Sequence, residues 1–132
     1  MMAMIDTRIC DGVGVVRVKG EMRYGAEAHT FRRAIDQLID DHVFYVVVDL
    51  NEMVFCGSPM LGVLAASFST LRRRGGAIRL VGVSDRIRDM MAVTRLAIIF
   101  KVDDSIETAI EGLLQKPNRY WSCDSGVDKV CL

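Results

Sequence analysis

The residue best placed to carry chemistry in this 132-residue chain is Ser58. It follows Gly57 and precedes Pro59-Met60-Leu61-Gly62-Val63-Leu64, a run that opens like a helix. Serine can cap a helix, and proline is preorganised for the first helical turn and has no N–H to leave unpaired. A hydroxyl there is expected at the surface, at the positive end of the helix dipole, where a phosphate is electrostatically welcome. Ser58 thus has two compatible roles: helix cap and phosphoacceptor. A phosphoryl group adds about −1.5 to −2 charge at neutral pH. The dipole tolerates that charge, so the switch would act on a partner, by repulsion and desolvation, rather than by melting the helix. Pro59 stiffens the same loop.

Other reactive types do not assemble into a catalytic constellation. Cys56 lies two residues before Ser58, but neither His29 nor His42 is near it in sequence, and no base is available to activate the thiol. Cys56 reads as a small buried residue, and His29 as a solvent-facing residue on a helix. The four cysteines, Cys10, Cys56, Cys123 and Cys131, have no C-x-x-C spacing and no neighbouring histidine, so no zinc site is expected. Reduced thiols and a cytoplasmic location fit this usage. The expectation is a non-enzymatic protein without metal or cofactor. Around Ser58, Met53 and Met60 read either as core or as an adaptable apolar contact patch, and Phe55 as half-buried. Met22, Arg23 and Tyr24 form a neighbouring loop, solvated or contacting a partner; Tyr and Arg are enriched where binding energy concentrates.

These residues need a scaffold. Tyr45 to Val48 is continuously apolar and ends at Asp49, the pattern of a central parallel strand covered on both faces. Asn51 to Gly57 then reads as a surface loop, which places Ser58 beyond the C-terminal end of a strand, where α/β folds tend to carry function. Met4–Ile9 and Val13–Val18, with Asp11-Gly12 between them and Gly20 after, read as a hairpin. Gly25 to Asp40 is amphipathic and helical. The helix from Pro59 to Arg74 stops at Gly75-Gly76, and Arg72-Arg73-Arg74 suits a helix C-terminus better than a phosphate or nucleic-acid site. Ala77–Val83 reads as a strand, Arg86–Val93 as a short helix capped by Ser84 or Asp85, Ile98–Phe100 as a last strand, and Ile106–Leu114 as a helix capped by Ser105. Gly12-Val13-Gly14 lacks fingerprint spacing. The alternation predicts an α/β fold: a mixed, mainly parallel four- to five-stranded sheet packed by about four helices.

Lys plus Arg and Asp plus Glu are 17 each, so there is no basic bias of the kind nucleic-acid binders show. No apolar run approaches the roughly 18 residues of a membrane span. Met1-Met2-Ala3-Met4-Ile5-Asp6 lacks the charged start and apolar centre of a secretory signal. Residues 1–115 are expected to form one domain and 116–132 an extension without periodicity, partly ordered, for which docking by Trp121 and mobility are both open.

Val46-Val47-Val48-Asp49-Leu50, Val54-Phe55, Ser58, Leu61-Gly62-Val63-Leu64, Arg74-Gly75-Gly76 and Leu80-Val81-Gly82-Val83-Ser84 occur in an order that resembles the STAS domain, and within it the bacterial anti-sigma-factor antagonists. The resemblance implies a STAS-like sheet packed by helices. It implies an anti-sigma factor serine kinase as partner, Ser58 as its phosphoacceptor, and a phosphatase that resets the switch. The partner face it implies comprises Met22, Arg23, Tyr24, Met53, Gly57, Ser58, Pro59 and Met60. It implies neither direct membrane insertion nor nucleic-acid binding, and it leaves a homodimer open. Where that family usually reads Asp-Ser-Ser-Gly or Asp-Ser-Thr-Gly, this chain reads Gly57-Ser58-Pro59-Met60; where it often reads Gly-Glu-Leu-Asp, this chain reads Gly20-Glu21-Met22-Arg23. These departures favour a second reading, a non-phosphorylated STAS adapter subunit of a lipid-transport or signalling assembly.

Overall fold

Continuous β-branched runs make the centre of the sheet. β2 (Val13–Met22) and β3 (Tyr45–Cys56) bury Val13, Val15, Val16, Val18, Val46, Val47 and Val48, because strands covered on both faces need apolar residues at consecutive positions. β1 (Met4–Cys10) pairs antiparallel with β2 through a tight turn in which Asp11 and Gly12 both take positive φ, as a two-residue hairpin requires. β4 (Ala77–Val81) and β5 (Lys101–Asp103) extend the sheet by parallel pairing, giving the order β1-β2-β3-β4-β5. The computed structural model describes residues 3–114. The expected extension at 116–132, with Trp121, lies outside the described residues.

The connections advance in one direction across the parallel strands, and right-handed crossovers then place the intervening helices on a single face. α1 (Gly25–Asp40), α2 (Ser58–Arg73) and α3 (Asp85–Val93) share that face, burying Phe31, Ile35, Leu64, Leu71, Ile87 and Met91 against Val16, Val46, Val48 and Leu80. Among the described residues α4 (Ile106–Leu114) alone covers part of the other face, with Ala109, Ile110 and Leu113 on Val13, Val15, Val47 and Val81. The remainder of that face carries ion pairs: Arg17 to Asp49 at 3.5 Å and Lys19 to Glu52 at 3.8 Å. All four helices start at the C-terminal edge of the parallel strands and end at the opposite edge.

Several boundaries differ from the sequence reading. Asn51–Cys56 is strand, not loop: β3 continues along β2 to the Met22–Cys56 pair. The ladder has irregularities between Arg17 and Lys19 and between Gly20 and Glu21, and Gly20 takes φ +88°. Buried Asp49 does not end β3, because its carboxylate accepts hydrogen bonds from the Asn51 backbone N–H and side-chain amide at 3.0 and 2.8 Å. β4 stops at Val81, where Gly82 takes φ +76° against Asn51. The last strand is Lys101–Asp103 rather than Ile98–Phe100; Leu96–Ile98 is a 3₁₀ turn entered through Arg95 at φ +66°. A single edge pairing tolerates the polar Lys101-Val102-Asp103, and the ion pair from Arg79 on β4 to Asp103, at 3.3 Å, fastens it. The expected caps at Ser84 and Ser105 are present; their hydroxyls accept from the N–H groups of Ile87 and Thr108.

Candidate functional site

Ser58 is exposed at the C-terminal edge of the sheet, where β3 hands over to α2. It is the first helical residue and not the cap: Gly57 is the N-cap, with φ −92° and ψ 172°. The helix therefore opens without a side-chain cap, and the Ser58 hydroxyl has no hydrogen-bond partner among the described residues. Of the first-turn N–H groups only that of Ser58 lacks a partner among the described residues, because Pro59 has none and that of Met60 donates to the Gly57 carbonyl at 3.1 Å; the positive dipole end still favours an anion on that hydroxyl.

Gly57 is fixed by the β2–α1 loop. Its N–H donates to the Met22 carbonyl at 2.8 Å, and a Cβ at this position would stand 2.9 Å from the Arg23 carbonyl oxygen and 3.1 Å from that of Met22. Position 57 thus has no room for a side chain in this backbone. The acid that the resemblance places there is excluded by packing as well as by sequence.

The β2–α1 loop presents a roofed aromatic. The Arg23 guanidinium lies over the Phe55 ring at 4.3 Å from its centroid and donates from Nε to Glu21 at 2.7 Å. This hydrogen bond, first, holds the Glu21 carboxyl below its usual range and raises Arg23 further. Glu27 accepts from the backbone N–H groups of Arg23 and Tyr24, both at 2.8 Å, which caps α1 from its third residue. Tyr24 is left 68 % exposed.

The methionines are the correction. Met22 and Met60 are 0 % exposed and Met53 is 7 % exposed, so these three members of the expected contact face are core. Met22 closes β2 on the helix-covered side, and Met60 enters the first turn of α2 within the same core as Phe31 and Leu64. Long flexible side chains fill that junction. Of the predicted face, Arg23, Tyr24, Ser58 and Pro59 are exposed, and Phe55 is half-buried.

Sequence reasoning missed the opposite wall. Ser58, Leu61 and Thr94 line two adjoining clefts of about 260 and 320 Å³, completed by Gly62, Ala65 and Leu96 in one and by Asp89, Met90 and Val93 in the other. Val93 is 84 % exposed and Ile98 79 % exposed, a high cost for apolar side chains with nothing packed on them. The available signal was the outer stripe Asp89-Met90-Val93 on a short helix. Too few residues carried it to stand out from an ordinary surface helix.

The thiol just before the Ser58 turn is not activated. Burial pushes the Cys56 thiol up to about 11, so it stays protonated at neutral pH. His29 is exposed on α1, as expected. Among the described residues no three His, Cys, Asp or Glu side chains are grouped to hold a metal, and no helix is long and apolar enough to cross a membrane.

Solved structures with the same architecture include an anti-sigma factor antagonist from Mycobacterium paratuberculosis, at TM-score 0.76 and 26% identity, covering 86% of this chain and 95% of that one. A candidate anti-sigma factor antagonist from Thermotoga maritima is similar at TM-score 0.77 and 22% identity, over 84% and 95% of the two chains. The Bacillus cell fate determinant SpoIIAA, solved in its phosphorylated form, is similar at TM-score 0.67 and 17% identity, over 83% and 98%. Residues 4–109 match the STAS domain model, so the five-stranded mixed sheet, its helix-covered face and the Ser58 edge belong to a member of the STAS domain family.

Proposed function

We propose that this chain is a regulatory binding module of the anti-sigma-factor antagonist type. Its partner is an anti-sigma factor serine kinase, engaged through the Ser58 edge. The observation that carries the reading is the exposed Ser58 hydroxyl, without a partner among the described residues, at the uncapped start of α2 on the wall of an apolar groove. The groove supplies apolar area for a partner. Arg23 and Tyr24 supply a polar rim of the composition found where binding energy concentrates. A phosphate on Ser58 leaves α2 intact, since the dipole favours it, and places about two negative charges at the edge of an apolar contact, which desolvation and partner carboxylates oppose. A phosphatase restores the hydroxyl. The module does no chemistry itself, in keeping with a Cys56 thiol that burial holds neutral.

Affinity capture from the organism's own cells, with intact-mass measurement of the captured chain, tests this. A kinase of the ATPase type together with a Ser58-dependent phosphate supports the reading; Ser58→Asp should lose the partner and Ser58→Ala keep it. Equal partner affinity for wild type, Ser58→Asp and Ser58→Ala would refute the switch. The packing of Gly57 and the Arg23–Glu21–Phe55 cluster favour a second reading, a STAS adapter without phosphorylation in a lipid-transport or signalling assembly. A transporter or scaffold partner and an unphosphorylated chain would select it.

A further inference from the structure

We propose that the cavity at the N-terminal edge of the sheet, opposite to Ser58, binds an organic phosphate monoester with a small apolar body. The cavity exists because the last strand is short. β5 pairs with β4 only from Arg79 onward, so among the described residues no strand flanks Ala77 and Ile78 on that side. The gap left there measures about 480 Å³, within the range of small-molecule sites. Phe68, Ile99 and Leu113 give it apolar walls. Gly112 on α4 leaves room for the Arg79 guanidinium, whose Nη1 a Cβ at that position would strike. Binding here is independent of the partner assigned to the Ser58 edge.

The charges that line it are of one sign. Arg72, Arg79 and Lys101 face the cavity, and no carboxylate does among the described residues. Arg79 and Lys101 hold paired positions on neighbouring parallel strands, so both side chains leave the same face of the sheet from strands about 5 Å apart. Like charges so placed repel. The Arg79 side chain is only 18 % exposed. Its Nη1 meets the Asp103 carboxylate at 3.3 Å, while Nη2 and Nε make no hydrogen bond among the described residues. Arg72, alone of the arginine run, reaches the cavity, and its guanidinium lies 5.7 Å from the centroid of Phe68. Neither Arg72 nor Lys101 has an ion-pair partner among the described residues. With Asp103 set against Arg79, two positive charges remain. A phosphate monoester brings about −1.5 to −2 charge at neutral pH and three acceptor oxygens, which matches that surplus and the free guanidinium donors. Its apolar body then lies against Phe68, Ile99 and Leu113.

Calorimetric titration of the full chain with naphthyl phosphate tests this. The expected result is saturable, salt-sensitive binding, with inorganic phosphate and naphthol each at least tenfold weaker. Arg72→Gln and Lys101→Gln remove exposed cations and should each weaken binding several-fold while the circular dichroism of the fold is kept. Amide NMR shifts on titration should centre on Ile78, Arg79 and Lys101. No saturable binding at millimolar naphthyl phosphate would overturn the proposal. So would unchanged affinity in both variants, inorganic phosphate binding as tightly as the ester, or shifts centred on residues 58–65 instead. Sedimentation with phosphatidic acid vesicles, without binding of the soluble ester, would overturn it in favour of a lipid surface.

Discussion

The two edges of the sheet are built from the same β–α units but carry opposite electrostatics. At the C-terminal edge every helix begins, so Ser58 sits at a positive dipole end. At the N-terminal edge the helices end, and Arg72, Arg73 and Arg74 close α2 at its negative dipole end. The upper edge keeps an uncapped serine and exposed apolar side chains; the lower edge is tied by backbone. Gly75 and Gly76 N–H groups bond back to the Arg72 and Leu71 carbonyls, and the Ala77 N–H bonds to the Phe44 carbonyl. The three arginines therefore complete a helix end, whereas the lone hydroxyl stands where added negative charge is least costly to the fold.

The largest effect expected on stability is at the lower edge. A Cβ on Gly76 would overlap the Phe44 carbonyl oxygen, so Gly76→Ala should cost about 3–5 kcal/mol in urea melts. A loss below about 1 kcal/mol would show that this edge can relax. At the upper edge the same experiment on charge should give the opposite sign. Ser58→Asp adds an acid to an acid-free first turn and should raise stability by about 0.3–1 kcal/mol, while costing the proposed complex about 3 kcal/mol, roughly a hundredfold in Kd.

Cys56, just before the Ser58 turn, gives a pH signature. Its folded pKa is raised, to about 11, so the contribution to stability is whole below the unfolded value and is lost as pH rises from about 8.5 to 11. About 3 kcal/mol should disappear over that window, and Cys56→Ala should flatten the difference between melts at pH 8 and pH 11. Gly57→Asp, which restores the acid of related loops, should destabilise by about 2 kcal/mol, because its Cβ must displace the Arg23 and Met22 carbonyls. Unchanged stability in that variant would show the loop to be more adaptable than its packing implies. A small gain is expected at Gly62, which faces open space on the cleft wall; Gly62→Ala should stabilise by about 0.8–1 kcal/mol. Weaker partner capture by that stabilised variant would place the contact on the groove.

The methionines show how far a sequence reaches toward such a surface. Met22, Met53 and Met60 flank the polar loop residues in sequence, and methionine serves core and interface equally well. Their side-chain directions depend on the continuation of β3 and on where α2 begins, and both turned them inward. The groove wall from Asp89 to Leu96 comes from a helix about 30 residues further along the chain, joined to Ser58 only by the crossover of β4.

Local periodicity and composition were enough to specify much of the scaffold. The valine runs made central strands, the helical stripes at Phe31–Ile39 and Leu61–Leu71 made core helices, and Asp11-Gly12 made a hairpin, because these signals act within a few residues. They also placed a serine between the end of a strand and the start of a helix. That Gly57 rather than Ser58 caps that helix was settled in three dimensions, since the choice depends on the hydrogen bond to Met22 across strands. Pairing with β2 carried β3 past Asp49, and pairing with β4 gave the last strand to Lys101–Asp103. Long-range pairing and packing settle such boundaries, because the free energy of closing them lies in partners that the local sequence does not contain.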